Sequence, residues 1–399
     1  MKKELTPGIK DSPTDRKEHR HEALTSQGKT GYRRLVIKLG THLLTEGKGS
    51  LDTELMSALV AQVAKLHQMG AEIILVSSGA IAAGRSRLER VKEGRGVPFR
   101  QVLASVGQSV LMQAYADLFR PFGITVAQAL VTRGDLSDRL GYLNVRNTFT
   151  ALLELRTVPI VNENDVVAVD EIQEDIFGDN DNLSAMVANL VDADLLMILT
   201  DTGGLYTADP HQDPSARLIP VVKSIDGHIE NLAGTSGSPW GTGGMATKIE
   251  AARLATTSGV AVVIADGREK DVILRLAAGE PVGTLFPAVT TKMESRKRWM
   301  LSGLNYPGKL IIDHGAAKAL REQGRSLLPA GIKEVQGKFQ RGHVVEILDT
   351  EGARVACGLT NYDSQDIQAI RGARSAEIQE LLGYEYGAEV VHRNNLVVL

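Results

Sequence analysis

The chain has 399 residues, 43% of them hydrophobic and 23% charged, a composition that excludes collagenous, low-complexity and wholly disordered classes. At about 150 residues per domain the length favours two domains, each long enough to bury a core. Lys and Arg number 45 against 48 Asp and Glu, a net charge of −3, so the chain as a whole exerts no pull on nucleic acid or an anionic membrane. Cys357 is the one cysteine; it rules out an intrachain disulfide and a cysteine-based metal site, and reads as a small buried apolar residue. Apolar runs such as Leu195 to Leu199 fall far short of the ~18 residues a membrane span needs. Residues 1–30 hold seven basic and five acidic side chains and no apolar core, which fits neither a signal peptide nor a transit peptide. They are expected to be a flexible extension, and the cytoplasm is the expected address.

From residue 33 short β-branched runs alternate with longer helical patterns. The runs are Leu35–Ile37, Ile73–Val76, Ile124–Val126, Val158–Val161, Leu195–Leu199 and Val260–Ile264. Between them, segments 52–69, 100–120, 183–191 and 244–258 repeat their apolar residues at helical spacing. Apolar strands joined by helix-length crossovers predict a layered α/β domain with a largely parallel sheet, over residues 31–290. In such sheets ligands collect where loops leave the carboxyl ends of the strands. A charged stretch and a Tyr306-Pro307-Gly308 turn make residues 291–306 a linker. Short glycine-punctuated strands at Lys309–Ile312, His343–Leu348 and Arg354–Leu359 then predict a small β-rich domain over 307–399.

Five blocks carry candidate chemistry. In Val36-Ile37-Lys38-Leu39-Gly40-Thr41 a lysine sits within an apolar strand, where it needs a negative partner such as a phosphate, or else snorkels from an edge strand. Ser77-Ser78-Gly79-Ala80-Ile81 turns from a strand into a helix start, whose free N–H groups suit an anion or merely pack tightly. Val161-Asn162-Glu163-Asn164-Asp165 and Gly178-Asp179-Asn180-Asp181-Asn182 are polar blocks at strand and helix ends. Helix capping explains one or two such residues, whereas acids and amides together suit a small zwitterion. Leu199-Thr200-Asp201-Thr202-Gly203-Gly204 leads from a strand into a polar loop. Gly241-Thr242-Gly243-Gly244-Met245-Ala246-Thr247-Lys248 precedes a helix. It fails the P-loop spacing but keeps the physics of a glycine loop that delivers a lysine to phosphate.

Taken together, VIKLG, SSGAIAAGR, VNEND, GDNDNLSA, LTDTGGLYTADP and GTGGMATK closely resemble the amino-acid kinase family, and within it the members that phosphorylate the γ-carboxyl of glutamate. The tail blocks GKLIIDHGAAKAL, SLLPAGI, RGHVVEI and GYEYG resemble a PUA domain. The resemblance runs from about Arg33 to the C-terminus. It implies a three-layer α/β sandwich with a largely parallel central sheet, plus a small β-rich PUA-like barrel. By the same resemblance Lys38 and Lys248 contact the transferred phosphoryl group, and Asp181 holds the two lysines. Ser78, Asp165 and Asn180 bind glutamate. Thr200, Asp201 and the stretch Thr242, Gly243, Gly244, Met245, Ala246, Thr247 and Lys248 bind ATP, as does Lys38. ATP with Mg²⁺ is the implied co-substrate pair, with no protein-held metal. The resemblance also implies proline biosynthesis, inhibition by proline, a glutamyl phosphate reductase as partner and a dimer or tetramer.

Two other readings compete. A sister kinase acting on acetylglutamate, aspartate or carbamate would share the lysines and the glycine loop. A PUA-like tail could also mark an RNA-binding protein, but residues 307–399 carry 11 Lys and Arg against 12 Asp and Glu, a balance that argues against strong phosphate binding. The nine histidines show no metal-ligand spacing.

Overall fold

The computed structural model describes residues 31–45, 50–88, 97–168, 180–210, 212–233, 244–292 and 306–399. The residue 1–30 extension, most of the 291–306 linker, Thr242 and Gly243 lie outside these residues.

The strands of the first unit are β1 (Arg34–Leu39), β2 (Glu72–Ser77), β3 (Val126–Val131), β4 (Val158–Glu163), β5 (Leu195–Thr200), β6 (Ala261–Asp266) and β7 (Thr284–Phe286). They form one sheet in the order β3-β4-β2-β1-β5-β6-β7. Every neighbouring pair is parallel except β6 with β7. The third strand starts at the last residue of the predicted Ile124–Val126 run. Gly123, at φ 67°, closes a 3₁₀ turn just before it, and its remaining residues (AQALV) alternate in burial because β3 is an edge strand.

The helices connecting these strands are α1 (Thr41–Leu44), α2 (Thr53–Gln68), α3 (Ala80–Arg87), α4 (Val97–Phe119), α5 (Arg133–Ser137), α6 (Arg139–Glu154), α7 (Asn180–Leu190), α8 (Gly227–Leu232), α9 (Met245–Thr256) and α10 (Val272–Ala277). Alternate residues of β1 face opposite cores, as strand geometry requires. Leu35, Ile37 and Leu39 join α2, α4 and α10 on one face. Val36 joins α6, α7 and α9 on the other. Helices cover both faces of the sheet, giving three layers.

One helix contact shapes the site directly. At Gly84 of α3 a Cβ would stand 1.9 Å from the Leu103 carbonyl oxygen, and at Gly107 of α4 one would stand 1.7 Å from that of Ala80. The two backbones therefore touch with no room for a methyl group on either side. Gly84→Ala is expected to destabilise the fold by about 3 kcal/mol, the upper end for overpacking, because backbone rather than a side chain must move. Chemical denaturation measures it; an unchanged midpoint would show that the helices separate freely.

The second unit holds β8 (Gly308–Ile312), β9 (Ile332–Gly337), β10 (Val344–Asp349), β11 (Arg354–Leu359) and β12 (Leu396–Val398), with helices α11 (His314–Gln323), α12 (Ser364–Ile370) and α13 (Ile378–Leu382). Its sheet runs β12-β11-β10-β8-β9. Strands β9 and β12 have no counterpart among the predicted runs. The first is an edge strand of mostly exposed polar residues, and the second has three residues. One core fills this unit around Leu310, Val345, Tyr362 and Ile367. The opposite sheet face, with Val344, Leu359, Val397 and the buried Cys357, packs on Leu143 of α6. Beside it Arg146, on the same helix, donates from Nη2 to the Asn394 carbonyl (3.0 Å) and pairs with Asp192 (2.5 Å).

Among the described residues no helix is long and apolar enough to cross a membrane.

Candidate active site

Strand register builds the site. Lys38 pairs with Val76 on one side and Ile198 on the other, so the carboxyl ends of β2, β1 and β5 lie level. Strand β1 leads to β2 on one flank, while β5 occupies the other, which makes the β1/β5 boundary the switch point where ligands gather in parallel sheets. At that boundary the Gly40 N–H donates to the Leu199 carbonyl at 3.2 Å.

The central position of β1 overturns the edge-strand alternative for Lys38, which is only 3% exposed. Its negative partner is Asp181, fully buried in the first turn of α7. Lys38 Nζ lies 2.5 Å from Asp181 Oδ1, and Lys248 Nζ lies 3.1 Å from Oδ2. Thr247 Oγ1 donates to the same Oδ2 at 3.1 Å. One carboxylate thus bridges two lysines that come from a strand and from a helix start. The amino-terminal end of α7 favours the aspartate's charge, and pairing lets the ammonium groups stay buried.

On the β2 side a cavity of about 140 Å³ is lined by Thr41, Ser78, Gly79 to Ala82, Arg85, Asn162, Glu163, Asp165 and Asn180. Gly79, at φ 97°, makes the left-handed turn into α3 that only glycine takes without strain. Asn180 joins the walls together. Its Nδ2 donates to the Ser77 carbonyl (2.8 Å), Ser78 Oγ (3.1 Å) and Asn162 Oδ1 (2.8 Å). Asn162 Nδ2 in turn donates to Gln108 Oε1 at 2.8 Å. Below them Ser77 Oγ and the Tyr115 hydroxyl are 2.8 Å apart, and burial pushes that phenol well above its usual range, so it stays neutral. Asn180 Oδ1 is buried and has no hydrogen-bond partner among the described residues.

On the β5 side Thr200 ends the strand, and its Oγ1 donates to Asp201 Oδ1 at 3.0 Å. Gly244 caps α9, whose first turn is Met245, Ala246, Thr247 and Lys248. The free N–H groups of that turn and the lysine suit a phosphate. Among the described residues no group of three or more His, Cys, Asp or Glu side chains is placed to hold a metal ion.

The structure therefore brings Lys38, Lys248 and Asp181 into contact, gathers Ser78, Asp165 and Asn180 around one cavity, and sets Thr200, Asp201 and Gly244 to Thr247 at the ends of β5 and α9. The helical pattern read from Leu183 starts three residues earlier in the structure, so Asn180 and Asp181 already belong to its first turn. Sequence reasoning did not single out Thr41, Arg85, Asn162 or Glu163 as cavity residues. Asn162 and Glu163 lie within VNEND, and Arg85 ends SSGAIAAGR.

The chain matches the amino acid kinase family over residues 33–266 and the PUA domain over residues 308–382. It is 58% identical over 368 residues to the glutamate 5-kinase of Dehalococcoides mccartyi strain CBDB1, covering 92% of this chain and 99% of that protein. It is 50% identical over 364 residues to the glutamate 5-kinase of Herpetosiphon aurantiacus, covering 91% and 98%. The glutamate 5-kinase of Shewanella pealeana is 51% identical over 369 residues, covering 92% and 98%.

Proposed function

The chain belongs to the amino acid kinase family, among its glutamate 5-kinases, and from that premise we propose that it transfers the terminal phosphoryl group of ATP to the γ-carboxylate of L-glutamate. The Lys38–Asp181–Lys248 bridge, set between the cavity and the β5 loops, is the observation that carries this reading.

The chemistry asks for little proton transfer. A γ-carboxyl group with a pKa near ~4.3 is already ionised at pH 7. Its oxygen forms a bond to the γ-phosphorus as the bond to the β,γ-bridging oxygen breaks, and ADP leaves with that electron pair. The barrier is the approach of one anion to another, through a loose, in-line transition state whose charge spreads over the phosphoryl oxygens. Lys38 and Lys248 lie where they can take up that charge, and Asp181 fixes both ammonium groups before substrate arrives. Ser78, Asp165 and Asn180 hold the amino acid, while Thr200, Asp201 and residues 242–248 hold the nucleotide. Both Asp181 oxygens face lysines, so the donor set fits a Mg²⁺ carried by ATP phosphates and water rather than by a protein cage. That ion, when bound, neutralises charge on the β- and γ-phosphates.

An acyl phosphate is labile and suits immediate reduction by a glutamyl phosphate reductase, on a cytoplasmic route to proline. Proline shares the α-amino acid head of glutamate and competes at Asp165 and Asn180; glutamate turnover unaffected by millimolar proline would contradict this. Residues 31–290 act as the catalytic unit and 307–399 as the PUA domain. The protein self-associates as a dimer or tetramer.

The test is ADP release from Mg-ATP in parallel tubes with L-glutamate, N-acetylglutamate, L-aspartate or no amino acid. Release confined to the glutamate tube is the expected result. Equal or greater release with another acid would assign the site to a sister substrate.

A further inference from the structure

The walls of the cavity differ in polarity. Glu163 and Asp165 supply carboxylates, and Asn162, Asn180 and Ser78 supply amides and a hydroxyl; Arg85 is the one cationic side chain among the described lining residues. Glu163 and Asn180 are buried, at 6% and 3% exposure, whereas Arg85 lies exposed on α3. Among the described residues Arg85 belongs to none of the ion pairs that engage the site's other charged groups.

We propose that Arg85 binds the α-carboxylate of the substrate and so selects α-amino dicarboxylic acids. The inference rests on the reading of this cavity as the glutamate pocket. It adds the residue that recognises the non-reacting end.

Helix geometry supports it. Arg85 stands six residues beyond Gly79, about 9 Å along the axis of α3 at 1.5 Å per residue. Side chains on a helix lean back toward its amino terminus, so the Arg85 stem passes over the turn of Ile81 and Ala82, which line the same cavity. The two carboxyl carbons of glutamate are four carbon–carbon bonds apart, about 5 Å when extended. A substrate whose α-carboxylate meets Arg85 can therefore direct its γ-carboxylate past Ser78 and Asn180 toward the two lysines. Its ammonium then faces the carboxylates of Glu163 and Asp165. A planar guanidinium forms two parallel hydrogen bonds to a carboxylate, which a lysine cannot reproduce.

The experiment compares the full-length protein with Arg85→Gln and Arg85→Lys, using L-glutamate and L-isoglutamine. Isoglutamine keeps the ammonium and the γ-carboxylate but carries a neutral amide at the α position. Arg85→Gln is expected to raise KM for L-glutamate about 10- to 100-fold, the range for a charged hydrogen-bonded contact. Its kcat and its KM for ATP should stay near wild type, and Arg85→Lys should recover part of the loss. The affinity for isoglutamine, read from turnover or from competition with glutamate, should be the same in wild type and Arg85→Gln. An unchanged KM for glutamate would overturn the proposal. So would a parallel weakening of glutamate and isoglutamine, or a joint loss of kcat and ATP affinity, each of which would assign Arg85 a structural role. If the wild-type protein itself does not turn over glutamate, the reading of the pocket fails first.

Discussion

Replacing Lys38 or Lys248 with alanine is expected to lower kcat by about 10²- to 10³-fold, or about 2.7–4 kcal/mol of barrier, with a much smaller change in KM for glutamate. The split follows from position. Both ammonium groups face Asp181 rather than the cavity walls that hold the amino acid. What they offer is charge, and its demand grows only as the phosphoryl group becomes shared between two anionic oxygens. Their effects should be far from additive, because the two lysines act on one group; the double variant should lose little more than the worse single one. Steady-state kinetics decide the matter. Wild-type kcat in either single variant would remove that lysine from the reaction.

Asp181→Asn is expected to act on stability and on rate together. The carboxylate is fully buried and is the shared counter-ion of two lysines that are themselves 3% and 5% exposed. The amide keeps the shape and loses the charge, so two ammonium groups remain in a dry site without their shared counter-ion. Breaking a buried pair in this way costs about 3–5 kcal/mol. The lysines also lose the bridge that holds them in register, so kcat should fall at least as far as in the lysine variants. Nucleotide phosphates can partly replace the missing charge, and ATP should therefore raise the melting temperature of Asp181→Asn by more than that of the wild type. Thermal unfolding with and without ATP reads this. A variant as stable as wild type in both states would show that Asp181 is not the counter-ion that keeps the two lysines buried.

Much of this site is legible in the order of the residues alone. An interior lysine in the apolar run ending Lys38-Leu39-Gly40 points to a negative partner or to a snorkelling edge position, and the first turn of α7 supplies the partner in Asp181. Glycine before a helix start at Gly79, and acids mixed with amides at the ends of other segments, mark the ligand-facing ends of parallel strands. Arg85 is harder to place, because a residue seven positions from Ser78 joins the same cavity only once the helix axis and side-chain tilt are known. Gln108 reaches the site through Asn162 from a helix whose sequence reads as purely structural. Strands β7, β9 and β12 are too short or too exposed to show an apolar run. Their place is set by neighbours rather than by their own composition.

The central claim is that a carboxylate oxygen of glutamate, not water or a hydroxyl group, receives the phosphoryl group. Hydroxylamine traps an acyl phosphate as a hydroxamate, and mass spectrometry of the product from L-glutamate and Mg-ATP identifies the carbon that carries it. The account predicts glutamate γ-hydroxamate, formed in proportion to ADP and absent without glutamate. ADP release with no hydroxamate, or a hydroxamate on the α-carbon carboxyl, would contradict it.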